Sequence, residues 1–133
     1  MNTIPSSFHD LLKNETKAYV YLATIMADGS PQVTPTWFGV EGEYILINTA
    51  KGRVKDKNMR SRAKVALAIQ DPKDPYRYLQ IRGRVVDNTE EGADDHINSL
   101  SFKYDNKPYK LVKGQIRVIF KILPEHVDAH TRS

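Results

Sequence analysis

Between Lys51 and Lys64 the chain places Lys51, Arg53, Lys55, Lys57, Arg60, Arg62 and Lys64, seven of its twenty basic side chains, with Asp56 as the one acid among them. Like charges this dense repel unless an anion lies among them, so the segment is expected to take a counter-charge from outside itself. Thr49 and Asn58 add neutral hydrogen-bonding groups, and a helical turn starting near Gly52 would add backbone N–H groups, a combination that suits a phosphate. Arg53 offers a bidentate fork, whereas Lys55 and Lys57 act as point charges. The plainer alternative is a solvated basic helix. Outside the segment thirteen basic residues face fifteen acidic ones, so the net charge of +4 is local. That concentration favours a compact anionic ligand over nucleic acid, whose binders spread positive charge across a face.

Other chemistry is sparse. Histidines 9, 96, 126 and 130 are scattered, and His126 and His130 have metal-ligand spacing only if the C-terminal segment is helical; a solvated tail is the simpler reading. Asp94-Asp95-His96 reads as helix surface. The sequence contains no phosphate-binding P-loop motif, no Gly-x-Gly-x-x-Gly and no Gly-x-Ser-x-Gly, and the absence of cysteine removes thiolate metal sites, disulfides and thiol nucleophiles. Tyr44, Tyr76 and Tyr78 are proton donors by residue type only, and no general acid is assigned. No metal is expected.

The elements that must position the basic run read as mainly β. Ser6 to Leu12 suggests a short serine-capped helix, with Phe8, Leu11 and Leu12 on one face. Ala18 to Met26 and Gln32 to Val40 flank the turn signal Asp28-Gly29, and Tyr44 to Thr49 follows the turn at Gly42, which predicts an antiparallel meander. Pro35 cannot donate to a ladder and so marks an edge, a bulge or a strand end, and Trp37 beside it reads as core or site. Val65 to Ile69 is a buried strand; Lys73-Asp74-Pro75 is a loop; and Tyr76 to Val86 alternates as a half-buried strand, in which Gly83 signals a bulge or close backbone approach. Thr89 is placed to cap an amphipathic helix to about Tyr104, with Ile97, Leu100 and Tyr104 on its apolar stripe and Lys103 elsewhere. Gln115 to Leu123 is the last strand, ending before Pro124, and residues after Asp128 read as a frayed tail. The expectation is one domain over 1–133: six antiparallel strands closing into a small barrel, with one long helix. At 133 residues, 40% of them apolar, the chain can bury its own core. With no run of 18 apolar residues and no charged and apolar leader pattern, it is expected to be cytoplasmic, with no membrane partner.

The order Ala27-Asp28-Gly29-Ser30-Pro31-Gln32, Thr34-Pro35-Thr36-Trp37-Phe38, Asn48 to Met59, Val65-Ala66-Leu67 and Gly83-Arg84-Val85 resembles the pyridoxamine 5′-phosphate oxidase-like, FMN-binding split-barrel superfamily, and within it the flavin/deazaflavin oxidoreductase branch. The resemblance runs from Ala18 to about Leu123. It implies a split β-barrel homodimer with cofactor sites at the subunit interface. It also implies that Thr49, Lys51, Arg53, Lys55, Lys57 and Asn58 hold the phosphate of FMN or of the deazaflavin coenzyme F-420. Pro35, Thr36, Trp37, Ile47 and Asn48 would line the ring, and the partner chain would contribute from Gln70 to Tyr78. The chain lacks the substantial C-terminal segment, bearing arginine and histidine, that binds pyridoxal in the classical oxidase, which argues against vitamin B6 oxidation.

The function this implies is a cofactor-dependent oxidoreductase passing hydride to an unsaturated, quinone-like or tetrapyrrole-like small molecule. A non-catalytic flavin or haem carrier or sensor is the alternative from a different class. A single-stranded nucleic-acid binder stacking bases on Tyr76 and Tyr78 is the third, and its binding would fall steeply with salt.

Overall fold

A computed structural model describes residues 2–132. Seven strands form a single antiparallel sheet: β1 (Val20–Ile25), β2 (Pro31–Thr36), β3 (Gly39–Glu41), β4 (Tyr44–Ala50), β5 (Lys64–Asp71), β6 (Asp74–Thr89) and β7 (Arg117–His130). Their order is β2-β1-β5-β6-β7-β4-β3, so β2 and β3 are the two edges. Among the described residues there are two α-helices, α1 (Val54–Ser61) between β4 and β5, and α2 (Ala93–Asp105) between β6 and β7, and two short 3-10 helices ahead of β1.

The expected six strands are therefore seven, because Gln32 to Val40 is two strands interrupted at Trp37-Phe38. Pro35 explains the break in part: it lies on β2, an edge strand that needs no ladder on its outer side. The two edges of the sheet are thus neighbours in sequence yet unpaired, and hydrogen bonding around the sheet is open where a closed barrel was expected.

Inside the curl of the sheet, Val20, Leu22, Ile45, Ile47, Leu67, Ile69, Leu79, Ile81, Val118, Phe120 and Ile122 form one buried cluster. β1, β4, β5, β6 and β7 supply alternate residues to it, as a one-sided sheet requires, and the edge strands β2 and β3 supply none. Ile4, Phe8 and Leu11 close one end. The Ser6–Leu12 segment there is a 3-10 helix that follows Pro5 and has no side-chain cap, in place of the serine-capped helix expected. Arg77 fastens it, donating to Asp10 Oδ1 at 2.7 Å and to the Ser7 carbonyl at 2.8 Å, with its guanidinium 4.6 Å from the centre of the Phe8 ring.

Three other boundaries move. The loop at Lys73 is tighter than expected, β6 beginning at Asp74. The α2 cap is Gly92, with positive φ, while the Thr89 hydroxyl accepts from the Glu91 N–H one turn earlier. β7 runs on through Pro124 to His130 where a strand end and a frayed tail were expected; the last tail residue, Ser133, lies outside the described residues. A proline survives there because the register shifts: Gly83 pairs with Pro124 and Arg82 with His126, so Glu125 is the extra residue of a bulge. His126 and His130 consequently lie on extended backbone, roughly 13 Å apart at about 3.3 Å per residue, which removes the helical spacing a shared ion would need.

Gly83 makes the close approach its position suggested. A Cβ there would lie 2.7 Å from the Leu123 carbonyl oxygen and 3.1 Å from Ile122 Cγ2. Since the obstruction is backbone, Gly83→Ala is expected to destabilise the chain by about 1–3 kcal/mol, read as a lower denaturation midpoint at unchanged slope.

Candidate functional site

The basic run emerges from the end of β4 and winds into α1. Gly52, at φ +95°, makes the turn, and its N–H donates to Asp56 Oδ2 at 2.8 Å. Asp56, buried, also accepts from Arg60 Nε at 2.8 Å. Lys51 pairs with Glu90 at 3.1 Å. Part of the run is therefore neutralised from within the chain, contrary to an entirely external counter-charge. A short carboxylate one turn ahead of an arginine satisfies both the helix N-terminus and the charge.

Two expected phosphate ligands turn away from solvent. Asn58 is buried, donating through Nδ2 to Thr24 Oγ1 at 3.0 Å and accepting from Arg62 Nη2 at 3.2 Å, which pins α1 to β1. Thr49 shares the inward face of β4 with Ile45 and Ile47; its buried hydroxyl has no hydrogen-bond partner among the described residues. The Ile47 side chain is likewise in the core, leaving only its backbone to meet a ligand.

The remaining cations are not neutralised. Arg53, Lys55 and Lys57 have no carboxylate within ion-pairing distance among the described residues, and Lys55 is partly buried. Burial, then Arg53 and Arg117, push the Lys55 ammonium below the usual lysine range. Arg117, which sequence patterning treats merely as a polar position on the last strand, is the missed member of the site. It is buried at the start of β7 and held by neutral partners, donating to Asn48 Oδ1 at 2.9 Å, Gln115 Oε1 at 3.2 Å and the Tyr109 hydroxyl at 3.5 Å. Burial is the main pressure against its charge; Arg53 adds to it, and Tyr109 and Asp94 oppose. Cations that depress one another in a half-buried position are what a bound dianion would relieve.

Asn48 extends the site toward α2. With its oxygen taken by Arg117, its Nδ2 donates to the Ala93 carbonyl at 2.9 Å and to His96 Nδ1 at 3.1 Å. His96 Nδ1 is thereby the acceptor, the ring proton sits on Nε2, and burial keeps the imidazole neutral, Glu41 opposing and Arg117 reinforcing. Its Nε2 packs over Gly39 on β3. Two residues earlier, Trp37 stacks on Tyr104 of α2, centroids 5.3 Å apart at 4°. Arg53, Lys55, Arg117, Asn48, His96 and Trp37 thus make a continuous strip from the mouth of α1 to the split between β2 and β3. Pro35 and Thr36 border that split on β2.

Gln70 and Tyr78 are not brought to this strip within one chain. Gln70 donates to the Pro75 carbonyl, and Tyr78 pairs and stacks with His130, at the opposite end of β7 from Arg117. The Tyr76 ring is covered by the Arg132 guanidinium at 3.8 Å. On the outer face of β1, β2, β5 and β6 an open groove of about 400 Å³ is lined by Tyr21, Ala23, Val33, Ala66, Gln80 and Arg82, none of them on the strip.

A family model described as pyridoxamine 5′-phosphate oxidase matches residues 9–131, and the chain belongs to that family. Among solved structures it is similar to an F-420 reductase at 32% identity, covering 94% of this chain and 98% of that one with a TM-score of 0.82. It also matches the fold of the conserved hypothetical protein Rv2991 of Mycobacterium tuberculosis at 21% identity, covering 96% and 84% with a TM-score of 0.74. No curated protein sequence matches significantly.

Lys103 departs most from its expected place. It is buried on α2, its ammonium 4.7 Å from the Phe38 ring centre and 4.9 Å from that of Tyr104, with no ion pair among the described residues. Burial lowers its pKa to about 8, Glu15 opposing weakly. Unfolded lysine titrates near 10.4, so between those values the unfolded chain binds more protons and stability rises with pH. Thermal midpoints measured across that window are expected to climb, and Lys103→Met to flatten the climb and add on the order of 1 kcal/mol at pH 7. A lower midpoint for the variant at pH 7 would show that the two cation–π contacts outweigh burial.

Proposed function

We propose that the chain is an oxidoreductase that binds the deazaflavin coenzyme F-420, with FMN as the close variant. The observation that carries this reading is the convergence of Arg53, Lys55 and Arg117 without a carboxylate partner. A cofactor phosphate supplies the missing charge, and the donor set fits it: one exposed guanidinium fork, one half-buried ammonium and one buried guanidinium already aimed by Asn48. Lys57 remains at the rim for further acidic groups of a longer cofactor, Lys51 being paired with Glu90. When bound, the cofactor supplies hydride transfer to an unsaturated or quinone-like small molecule.

The chain's own residues do the positioning. Asn48 couples the phosphate end to α2, and Trp37, held flat by Tyr104, is the apolar wall at the split. His96 presents an N–H at Nε2, and its neutral ring costs no charge beside the cations. The similarity to an F-420 reductase supports deazaflavin over FMN. We further propose a homodimer formed through the outer face of β1, β2, β5 and β6, in which Tyr21 and Val33 are exposed among small alanines, with Gln70 and Tyr78 of each chain reaching the other's strip. Nucleic-acid binding is disfavoured because Tyr76 and Tyr78 already carry Arg132 and His130 on their faces.

Titration with the deazaflavin coenzyme and, separately, FMN, followed by Trp37 fluorescence and by the cofactor's own, tests this. Deazaflavin is expected to bind more tightly. Lys55→Ala and Arg53→Glu are each expected to weaken binding by about 10- to 100-fold, the worth of a charged hydrogen bond, while exposed Arg53 changes stability by about 0.5 kcal/mol or less. Binding of neither cofactor, or variants that bind as well as the parent, would reject the cradle.

A further inference from the structure

The segment joining α2 to β7 carries apolar side chains that the site does not use. Leu111, Val112 and Ile116 are 53%, 56% and 47% exposed, and Lys107, Lys110 and Lys113 are interleaved with them, all exposed. From Asn106 to Pro124 the chain has no acidic residue. Nor is the segment a loose strand of chain. Tyr109 N–H donates to Asn98 Oδ1 at 2.9 Å, the Tyr109 ring lies under Arg117, and the Ile116 carbonyl accepts from Lys51 N–H at 2.8 Å, so both ends are anchored. Between them Gln115 N–H bonds the Val112 carbonyl at 3.1 Å across Gly114, whose φ is +83°. That is a tight turn with a lysine and a glycine at its tip and aliphatic residues on its shoulders.

We infer that this anchored turn is a peripheral docking element for anionic phospholipid bilayers, its three aliphatic side chains entering the headgroup and acyl boundary while its three lysines meet lipid phosphates and carboxylates. The charge pattern selects this occupant. The turn exposes aliphatic and lysine side chains together, and unbranched lysine stems can lie along apolar surface while their ammonium groups stay at the interface. Aliphatic and cationic residues side by side on one exposed turn are the composition that lies on an anionic membrane without crossing it. No helix among the described residues is long and apolar enough to span one, and lying on a surface requires none. The sequence alone led to the expectation of no membrane partner; the exposure of this turn argues for one. The inference is independent of which cofactor the cradle binds.

The test is flotation of the full chain with phosphatidylcholine vesicles, with and without phosphatidylserine, at low and raised salt. The chain is expected to float with the phosphatidylserine vesicles only, and less at raised salt. The paired variants Leu111→Asp with Val112→Asp, and Lys110→Glu with Lys113→Glu, are each expected to reduce the bound fraction by about tenfold or more, at an unchanged thermal midpoint because all four positions are exposed. Three results would overturn the inference. The chain fails to float with anionic vesicles; or both variants float like the parent, which would assign binding to the run at Lys51 to Lys64; or the aspartate pair converts a dimer to a monomer in light scattering, which would assign the turn to a second copy.

Discussion

The Tyr104 hydroxyl ties the chain ahead of β1 to the break between β2 and β3. It donates to the Ala18 carbonyl at 2.5 Å, ahead of β1, and accepts from the Phe38 N–H at 3.4 Å, between β2 and β3. Desolvation there raises the phenol well above its ordinary range, so it remains a neutral donor. Its ring meanwhile stacks on Trp37. Without α2 to deliver this group, the Ala18 carbonyl and the Phe38 N–H would lose this partner and Trp37 its stacking surface. The break between β2 and β3 is therefore held by a helix side chain, which leaves it able to border a ligand.

Charge follows a similar economy. Asp56, Glu90 and the Ile25 carbonyl absorb Arg60, Lys51 and Arg62, and each of these bonds also fixes a turn or anchors α1. What remains at the start of α1 without a carboxylate partner among the described residues is Arg53, Lys55 and Lys57, joined by an arginine from a strand more than fifty positions away. Asn48 and Arg117 are buried with His96 half-buried beside them, and the hydrogen bonds among the three offset the cost of burial and impose one orientation. Because Asn48 can offer one oxygen and one NH2 group, its two neighbours are obliged to adopt one tautomer and one direction.

Much of this was legible along the chain. β-rich and apolar runs located β1, β4 and β5, alternation the inner face of β6, the Asp28-Gly29 pair a turn, and helical spacing the Ile97, Leu100 and Tyr104 stripe of α2. Pro35 read as an edge, a bulge or a strand end and stands on an edge strand, and Gly83 read as a bulge or a close approach and shows both. The errors cluster where a partner distant in sequence decides. Thr49 and Asn58 are polar residues next to cations and read as ligands, yet strand pleat and helix phase turn both inward. Lys103 reads as a solvated helix position, yet Phe38 covers it. Pro124 reads as a stop, yet a bulge opposite Gly83 carries the strand past it.

By itself the sequence determined that the chain is mainly β and that its positive charge is concentrated at one point, because alternation, turn chemistry and charge density are local properties. Only the tertiary structure decided which cations stay without partners, since neutralisation depends on where Asp56 and Glu90 arrive in space. It also decided that Arg117 joins Arg53 and Lys55. That meeting is made by the pairing of Ala50 with Arg117 across β4 and β7, a contact between residues whose separation along the chain leaves no periodic trace.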